Sequence, residues 1–319
     1  MMSDLCAHLD DVEAAAGRIA PYAHKTPVLR CSALDQILGA ELYFKCENFQ
    51  KVGAFKFRGA CNAVTSLSEE ELHRGVATHS SGNHAAALAL SAKLAGSSAH
   101  IVIPSNAPAV KKAAVEGYGA TITYCEPTLD ARESTLAQVL EKEGRIMIHP
   151  YNDARIIAGQ GTAALELLEE VGDLDVVMAP VGGGGLLSGT SIAVSESSPS
   201  TKVIGAEPLN ADDAYRSMQS GEIQPSENPQ TIADGLLTSL GELTFEILKE
   251  RCSGIVTVSE DSIVEAMRLV WERMKIVIEP SAALPVAALL EKRSEVSGER
   301  VGVIFSGGNI DLERLPWLK

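Results

Sequence analysis

The chain has 319 residues, 45% hydrophobic, 4% aromatic and 22% charged, which supplies apolar surface for one or two cores and excludes a disordered chain or a disulfide-stapled miniprotein. Lys and Arg number 27 against 42 Asp and Glu, a net charge of −15 that repels phosphate backbones and anionic lipids, so nucleic acid and membrane are excluded as partners. No apolar run reaches the roughly eighteen residues of a membrane span, and Asp4, Asp10 and Asp11 at the start argue against a signal peptide and for a cytoplasmic protein.

In chain order, a first strand is expected over 42–46, followed by a glycine-bounded turn and a helix-like stretch. From about residue 75, short β-branched runs alternate with segments of helical period, the pattern of an α/β fold around largely parallel strands. Strands over 76–79, 100–104, 121–125 and 145–149 alternate with helices over 85–94, 108–117 and 130–143. Then come a helix over 158–170, strands over 175–181, 202–206 and 254–258, helices over 260–274 and 282–291, and a strand over 301–305. Pro108 suits a first helical turn, and Ser259 with Glu260 and Asp261 behind it reads as a capped helix start. The polar stretch 219–229, with two prolines, reads as a surface excursion. A chain of this length is near the size at which cores divide, so two lobes are expected. Either 75–149 is inserted into a lobe built from both chain ends, or the two domains are sequential; hydrophobic pattern does not choose.

Six cysteines, Cys6, Cys31, Cys46, Cys61, Cys125 and Cys252, lie far apart with no C-x-x-C pair. They argue against zinc and disulfides and read as reduced thiols.

Four segments carry chemistry. Gly182, Gly183, Gly184 and Gly185 follow an apolar run and precede a plausible helix. Their backbone N–H groups can gather round an anion, with a helix N-terminus behind them. No Gly-Lys-Ser/Thr follows, so this is no nucleotide P-loop, and the third glycine of a dinucleotide fingerprint is missing. Glu207 nevertheless ends the next strand where a ribose-binding acid would stand, which leaves a nicotinamide dehydrogenase open, as it leaves a tight turn without ligand. Lys56 lies between Phe55 and Phe57; in an apolar pocket its pKa falls and the amine becomes a nucleophile or base. Arg58 beside it reads equally well as a surface charge. Thr78–His84 runs from strand end to helix start with Ser80, Ser81 and Asn83, suited to an anionic ligand group, and as bare sequence is an ordinary helix cap. Ser306-Gly307-Gly308-Asn309 stands at the carboxyl end of the last strand, where open α/β sheets place ligands. An anion cup, an amine, a hydroxyl and a neutral polar partner together suit pyridoxal phosphate.

The chain resembles the fold-type II pyridoxal-phosphate enzymes from about residue 9 onward, within them the serine racemases and their threonine dehydratase relatives. The ordered blocks are KTPVL (25–29), FKCENFQKVGAFKFRGACNAV (44–64), THSSGNHAAAL (78–88), AGQGT (158–162), PVGGGGLLSG (180–189), AEPLNADDA (206–214), TIADG (231–235) and SGGNID (306–311). The resemblance implies two lobes, each with a largely parallel twisted sheet flanked by helices: a large cofactor-binding domain of 1–74 plus 150–319 and a small domain of 75–149. It implies that Lys56 holds pyridoxal 5'-phosphate through its aldehyde and moves the α-proton on one face, and that Ser81 serves the opposite face. Phe55 and Gly235 would pack near the ring, Asn83 contact its 3-hydroxyl, Gly182 to Gly185 hold the phosphate, and Ser306 meet the pyridine nitrogen. Ser80, Ser81, Asn83 and His84 would grip the substrate carboxylate.

The implied work is interconversion of L- and D-serine, with dehydration of serine to pyruvate and ammonia; a threonine or L-threo-3-hydroxyaspartate dehydratase is the close alternative. Two proton carriers on opposite faces are what inversion requires. A neutral serine on the ring nitrogen makes the cofactor a weaker electron sink and tilts the carbanion towards losing its β-hydroxyl. Glu207, Ala211 and Asp213 match a divalent-cation site for magnesium or calcium, which displaces the ribose reading of Glu207. A homodimer is implied, and no regulatory domain is expected after Lys319. Val52 and Ala86 depart from the polar residues of the animal nucleotide site, so activation by ATP is not expected. Tyr151 stands where that branch has an asparagine beside the cofactor, and Ser281-Ala282-Ala283 varies the turn after Glu279-Pro280.

Overall fold

The computed structural model describes residues 7–80, 82–107, 109–292 and 299–318, with the side chains at 109–111 and 129 left aside. Among them ten strands form: β1 (Val28–Leu29), β2 (Glu41–Cys46), β3 (Val76–His79), β4 (Ala99–Pro104), β5 (Thr121–Cys125), β6 (Ile146–Met147), β7 (Val176–Pro180), β8 (Lys202–Pro208), β9 (Gly254–Val258) and β10 (Arg300–Phe305). Six make one sheet in the order β1-β2-β10-β7-β8-β9, parallel except for the β1–β2 pair. The other four make a fully parallel sheet, β5-β4-β3-β6.

Central strands are apolar on both faces because helices cover both: all five residues of β7 and all six of β4 are buried. On one side of the larger sheet, Met178, Val303 and Phe305 pack against helices Glu260–Met274 and Pro280–Leu290. On the other, Val177, Ala179 and Ile304 meet helices Leu9–Ile19, Ala154–Val171 and Gly185–Ser197. The AGQGT block is explained by this packing. A Cβ at Gly159 would lie 2.6 Å from the Gly59 Cα, and one at Gly189 would lie 2.5 Å from the Gly161 nitrogen. Three helices thus cross where only glycine fits.

The expected strands are all present; β3, β5 and β9 have the expected ends and the others shift by a residue or more. β6 is shorter than 145–149, since only Ile146 and Met147 pair with β3. The helix expected from 158 begins at Ala154 because Asp153 caps it, accepting from the Arg155 N–H at 2.9 Å. The helix expected from 282 begins at Pro280, whose missing N–H costs nothing in a first turn. Pro108 lies outside the described residues. Of the stretch 219–229, the first two residues end helix Asp213–Ser220 and the rest is irregular and mostly exposed.

Candidate active site

The carboxyl ends of β2, β7 and β10 are neighbours in the larger sheet, so the loops that follow them converge. After β2 the chain turns through Val52 and Gly53, both at positive φ, and the Phe55 N–H donates to the Ser306 carbonyl at the end of β10, 2.9 Å away. Lys56 then opens helix Lys56–Thr65. Its Nζ donates to the Pro150 carbonyl at 2.8 Å and lies 5.2 Å from the Phe55 ring centroid. Phe57 faces the other way, buried against Ile19 and Cys61. Desolvation lowers the Lys56 pKa to about 8, which brings the neutral amine within reach near pH 7.

Arg58 is no surface charge: its side chain is 0% exposed. It donates to Glu47 at 2.7 Å (Nε) and 2.9 Å and to Glu166 at 2.7 Å and 2.8 Å. Lys45, also buried, donates to Glu166 at 2.6 Å and to the Thr26 carbonyl at 2.7 Å. Two cations and two carboxylates therefore cancel beneath the lysine, anchoring its helix by bidentate pairs.

After β7, Gly182 to Gly185 are all buried, and Gly184, at φ +90°, is the N-cap of helix Gly185–Ser197. A Cβ at Gly183 would lie 2.4 Å from the Tyr151 ring, one at Gly184 2.7 Å from Thr244, and one at Gly182 3.0 Å from the Leu236 Cα. Thr244 pins the loop, its hydroxyl donating to the Gly183 carbonyl at 2.9 Å. Among the described residues, nothing accepts from the N–H groups of Gly182, Gly183 and Gly184. A cradle of free donors at a helix N-terminus is chemically matched to a phosphate. Gly235 stands at its rim, its N–H donating to the Ser281 hydroxyl at 3.3 Å.

The smaller sheet contributes the loop after β3. Ser80 is half-buried, Asn83 opens helix Asn83–Leu94, and its Nδ2 donates to Glu279 across the cleft at 3.0 Å and 3.2 Å. His84 is buried and neutral: burial, then the Lys56 charge, hold its pKa well below the ordinary value. Its Nε2 meets the Ile148 carbonyl at 3.3 Å, while Nδ1 is buried without a partner among the described residues. Ser81 lies outside the described residues. Ser306, 2% exposed, sits behind Phe55.

His149, expected at the end of a strand, lies instead in the turn after β6. His149 Nδ1 accepts from the Tyr151 and Asn152 N–H groups at 3.3 Å and 2.8 Å, which puts the proton on Nε2. Burial, then His79 and Lys56, lower its pKa to about 4. Its ring meets the Tyr151 ring edge-on at 4.6 Å. Pro150 acts through a main-chain oxygen, which no residue identity advertises; Glu279 had been seen only as part of a turn.

Glu207 lies near the carboxyl end of β8, with Ala211 in the turn that follows and Asp213 at the start of helix Asp213–Ser220. Glu207 is buried, its oxygens accepting from Ala214 N–H at 2.9 Å and Tyr215 N–H at 2.8 Å. Burial pushes its pKa up to about 9 and the Asp213 pKa up to about 6. Both Asp213 carboxylate oxygens are buried without a hydrogen-bond partner among the described residues. No group of three or more His, Cys, Asp or Glu that could hold a metal occurs among the described residues, so any ion here relies on two carboxylates plus main chain or water.

Residues 19–307 match the family of pyridoxal-phosphate dependent enzymes. The serine racemase of Dictyostelium discoideum is 54% identical over 311 residues, covering 96% of each chain. The beta-hydroxyaspartate dehydratase of Paracoccus denitrificans is 50% identical, covering 97% of this chain and 98% of its own. The solved structure of maize serine racemase superposes with a TM-score of 0.95 at 44% identity, covering 97% of this chain and 95% of its own. With residues 19–307 matched by the family and relatives at 50% identity or more over nearly the whole chain, the protein belongs to the pyridoxal-phosphate dependent enzymes.

Proposed function

We propose that the chain interconverts L- and D-serine and also dehydrates serine to pyruvate and ammonia. The observation that carries this reading is the Lys56 amine, desolvated to a pKa of about 8 and held on the Pro150 carbonyl, next to the Tyr151 ring that lies against Gly183. The fit to pyridoxal phosphate rests on the unclaimed N–H groups of Gly182 to Gly184 and on walls that exclude any Cβ there. When bound, the cofactor supplies an electron sink that acidifies the hydrogen on the α-carbon.

The chain's own residues do the rest. Gly182 to Gly185 would bind the phosphate, Phe55 and Gly235 would flank the ring, Asn83 would meet its 3-hydroxyl and Ser306 its nitrogen. Ser80, Ser81, Asn83 and His84 would hold the carboxylate. Lys56 accepts or returns a proton at Nζ on one face; Ser81 does so on the other. Burial holds both His84 and His149 below the ordinary histidine pKa, so both face the pocket as neutral imidazoles at neutral pH.

The 50% identity to a beta-hydroxyaspartate dehydratase supports a second reading, elimination from 3-hydroxyaspartate or threonine as the main reaction. Chiral analysis and keto-acid assay with L-serine, L-threonine and L-threo-3-hydroxyaspartate decide between them. D-serine formed from L-serine, lost in Ser81→Ala while elimination persists, fits the racemase; keto acid alone, fastest from hydroxyaspartate, fits the dehydratase.

The same reading includes a large domain of 1–74 plus 150–319 and a small one of 75–149, supported by the way strands divide between the sheets. It includes magnesium or calcium on Glu207, Asp213 and the Ala211 carbonyl, supported by the orphaned Asp213 oxygens. It includes a homodimer, supported by exposed Phe49 and Val277 beside one another on a cavity of about 390 Å³. The unpaired state of Cys31, Cys46, Cys61, Cys125 and Cys252 supports a cytoplasmic location.

A further inference from the structure

Glu279 lies just ahead of helix Pro280–Leu290, outside the loops that form the pocket, yet its carboxylate sits among them and only 4% of the residue is exposed. Asn83 Nδ2 donates to both its oxygens, at 3.0 Å and 3.2 Å, and the Asn309 main-chain N–H donates to Oε2 at 3.2 Å. The Glu279 N–H donates in turn to the Gly307 carbonyl at 3.0 Å. A Cβ at Gly307 would fall 2.6 Å from Oε1, so the carboxylate's approach is possible only because that residue is glycine. Asn83 Oδ1 accepts from Asn309 Nδ2 at 2.9 Å, and the same nitrogen donates to the Val52 carbonyl at 2.7 Å.

A carboxylate only accepts, whereas an amide has one end that donates and one that accepts. Asn83 can therefore face Glu279 only with its nitrogen and Asn309 only with its oxygen. The two neighbours leave the amide a single orientation, and they tie it to the segment that follows Ser306. Sharing one N–H between the two carboxylate oxygens leaves the second N–H of Asn83 for another acceptor.

We infer that Glu279 is a positioning residue for the reaction: it fixes the amide of Asn83 so that the remaining N–H is presented to the 3-oxygen of pyridoxal phosphate. This rests on the reading of Asn83 as the contact to that oxygen. A glutamine at 279 keeps the shape but offers both a donor and an acceptor, so the amide loses its single orientation.

The test uses reconstituted holoenzyme of Asn83→Ala, Glu279→Gln, Asn309→Ala and the double variant Asn83→Ala/Glu279→Gln. The readouts are the ratio of the cofactor's visible to near-ultraviolet bands and its retention on dialysis, with the unfolding midpoint as control. Asn83→Ala is expected to shift the ratio and weaken retention about tenfold. Glu279→Gln is expected to move both in the same direction, and the double variant to go no further than Asn83→Ala. If Glu279→Gln leaves the bands unchanged, or its effect adds in full in the double variant, the inference is overturned while the reading of Asn83 stands. If Asn83→Ala itself is silent, that reading has failed and the inference falls with it. Should Glu279→Gln not fold, Asn309→Ala at its exposed position decides. A smaller shift in the same direction supports the inference, and an unchanged spectrum overturns it.

Discussion

The Nζ of Lys56 lies 2.8 Å from the main-chain oxygen of Pro150, a residue 94 positions further along the chain. Lys56 opens a helix that packs against helices Ala154–Val171 and Asn83–Leu94, whereas Pro150 follows the last strand of the smaller sheet. The contact gives the amine an acceptor without a negative charge, so nothing offsets the desolvation that keeps its pKa low. The turn after β6, held by His149 Nδ1, lays Tyr151 against the glycine cradle.

Replacing Lys56 by alanine removes both the attachment point and a proton carrier. The purified Lys56→Ala protein should lack the visible band of lysine-bound cofactor and lose turnover of every substrate by more than about 10³-fold. A yellow, active Lys56→Ala enzyme would falsify the assignment.

Gly183→Ala should destabilise the protein by about 1–3 kcal/mol through overpacking, because the added carbon would lie 2.4 Å from the Tyr151 ring. Thermal unfolding should show the loss, and cofactor titration a weakened affinity. Adding Tyr151→Ala should restore part of the stability; no restoration would mean that the clash is relieved elsewhere.

Glu166→Gln leaves Arg58 and Lys45 buried with one carboxylate between them. Breaking such a pair by removing one partner costs about 3–5 kcal/mol, and a denaturant midpoint will read it. The larger effect is expected from Arg58→Met, which strands Glu47 and Glu166 together. Equal stability of wild type and both variants would show that the network is solvated in solution.

The pH dependence has two parts of known sign. Lys56, with its pKa lowered to about 8, gains neutral amine as pH rises. The rate at which apoprotein takes up pyridoxal phosphate should therefore climb about tenfold per unit up to pH 8 and flatten above it. His149 has a folded pKa of about 4 against 6.5 unfolded, so the unfolded chain binds more protons between those values. Stability should fall as pH drops from 6.5 to 4, by up to about 3 kcal/mol, and His149→Gln should flatten that slope.

Chelation tests the acidic cluster. A divalent cation at a hundred times its Kd adds about 2.7 kcal/mol to the folded state, so treatment with a chelator should lower the unfolding midpoint and magnesium or calcium should restore it. Asp213→Asn should remove the response; if it persists there, the ion binds elsewhere.

Much of the fold was legible because its strands are continuous apolar runs. β7 and β10 are buried on both faces, and such strands advertise themselves without alternation. Short or polar elements were not. β1 has two residues, and helix Asp213–Ser220 buries only Asp213, Ala214 and Ser217; their places are set by what they pack on. Arg58 shows the same limit at the site, since nothing in the string distinguishes a solvated guanidinium from one enclosed by Glu47 and Glu166.

By itself the sequence determined the chemistry: an isolated lysine between aromatics, a run of glycines after an apolar strand, and hydroxyls and amides at strand ends. Those residue types carry their properties wherever the chain goes. What the tertiary structure decided was the environment that makes them act. The desolvation of Lys56, the single orientation of Asn83 against Glu279, and the seat of Tyr151 on Gly183 all depend on segments far apart in the chain. Proton affinity and hydrogen-bond direction respond to neighbours in space, and spatial neighbours appear only once the two sheets are in place.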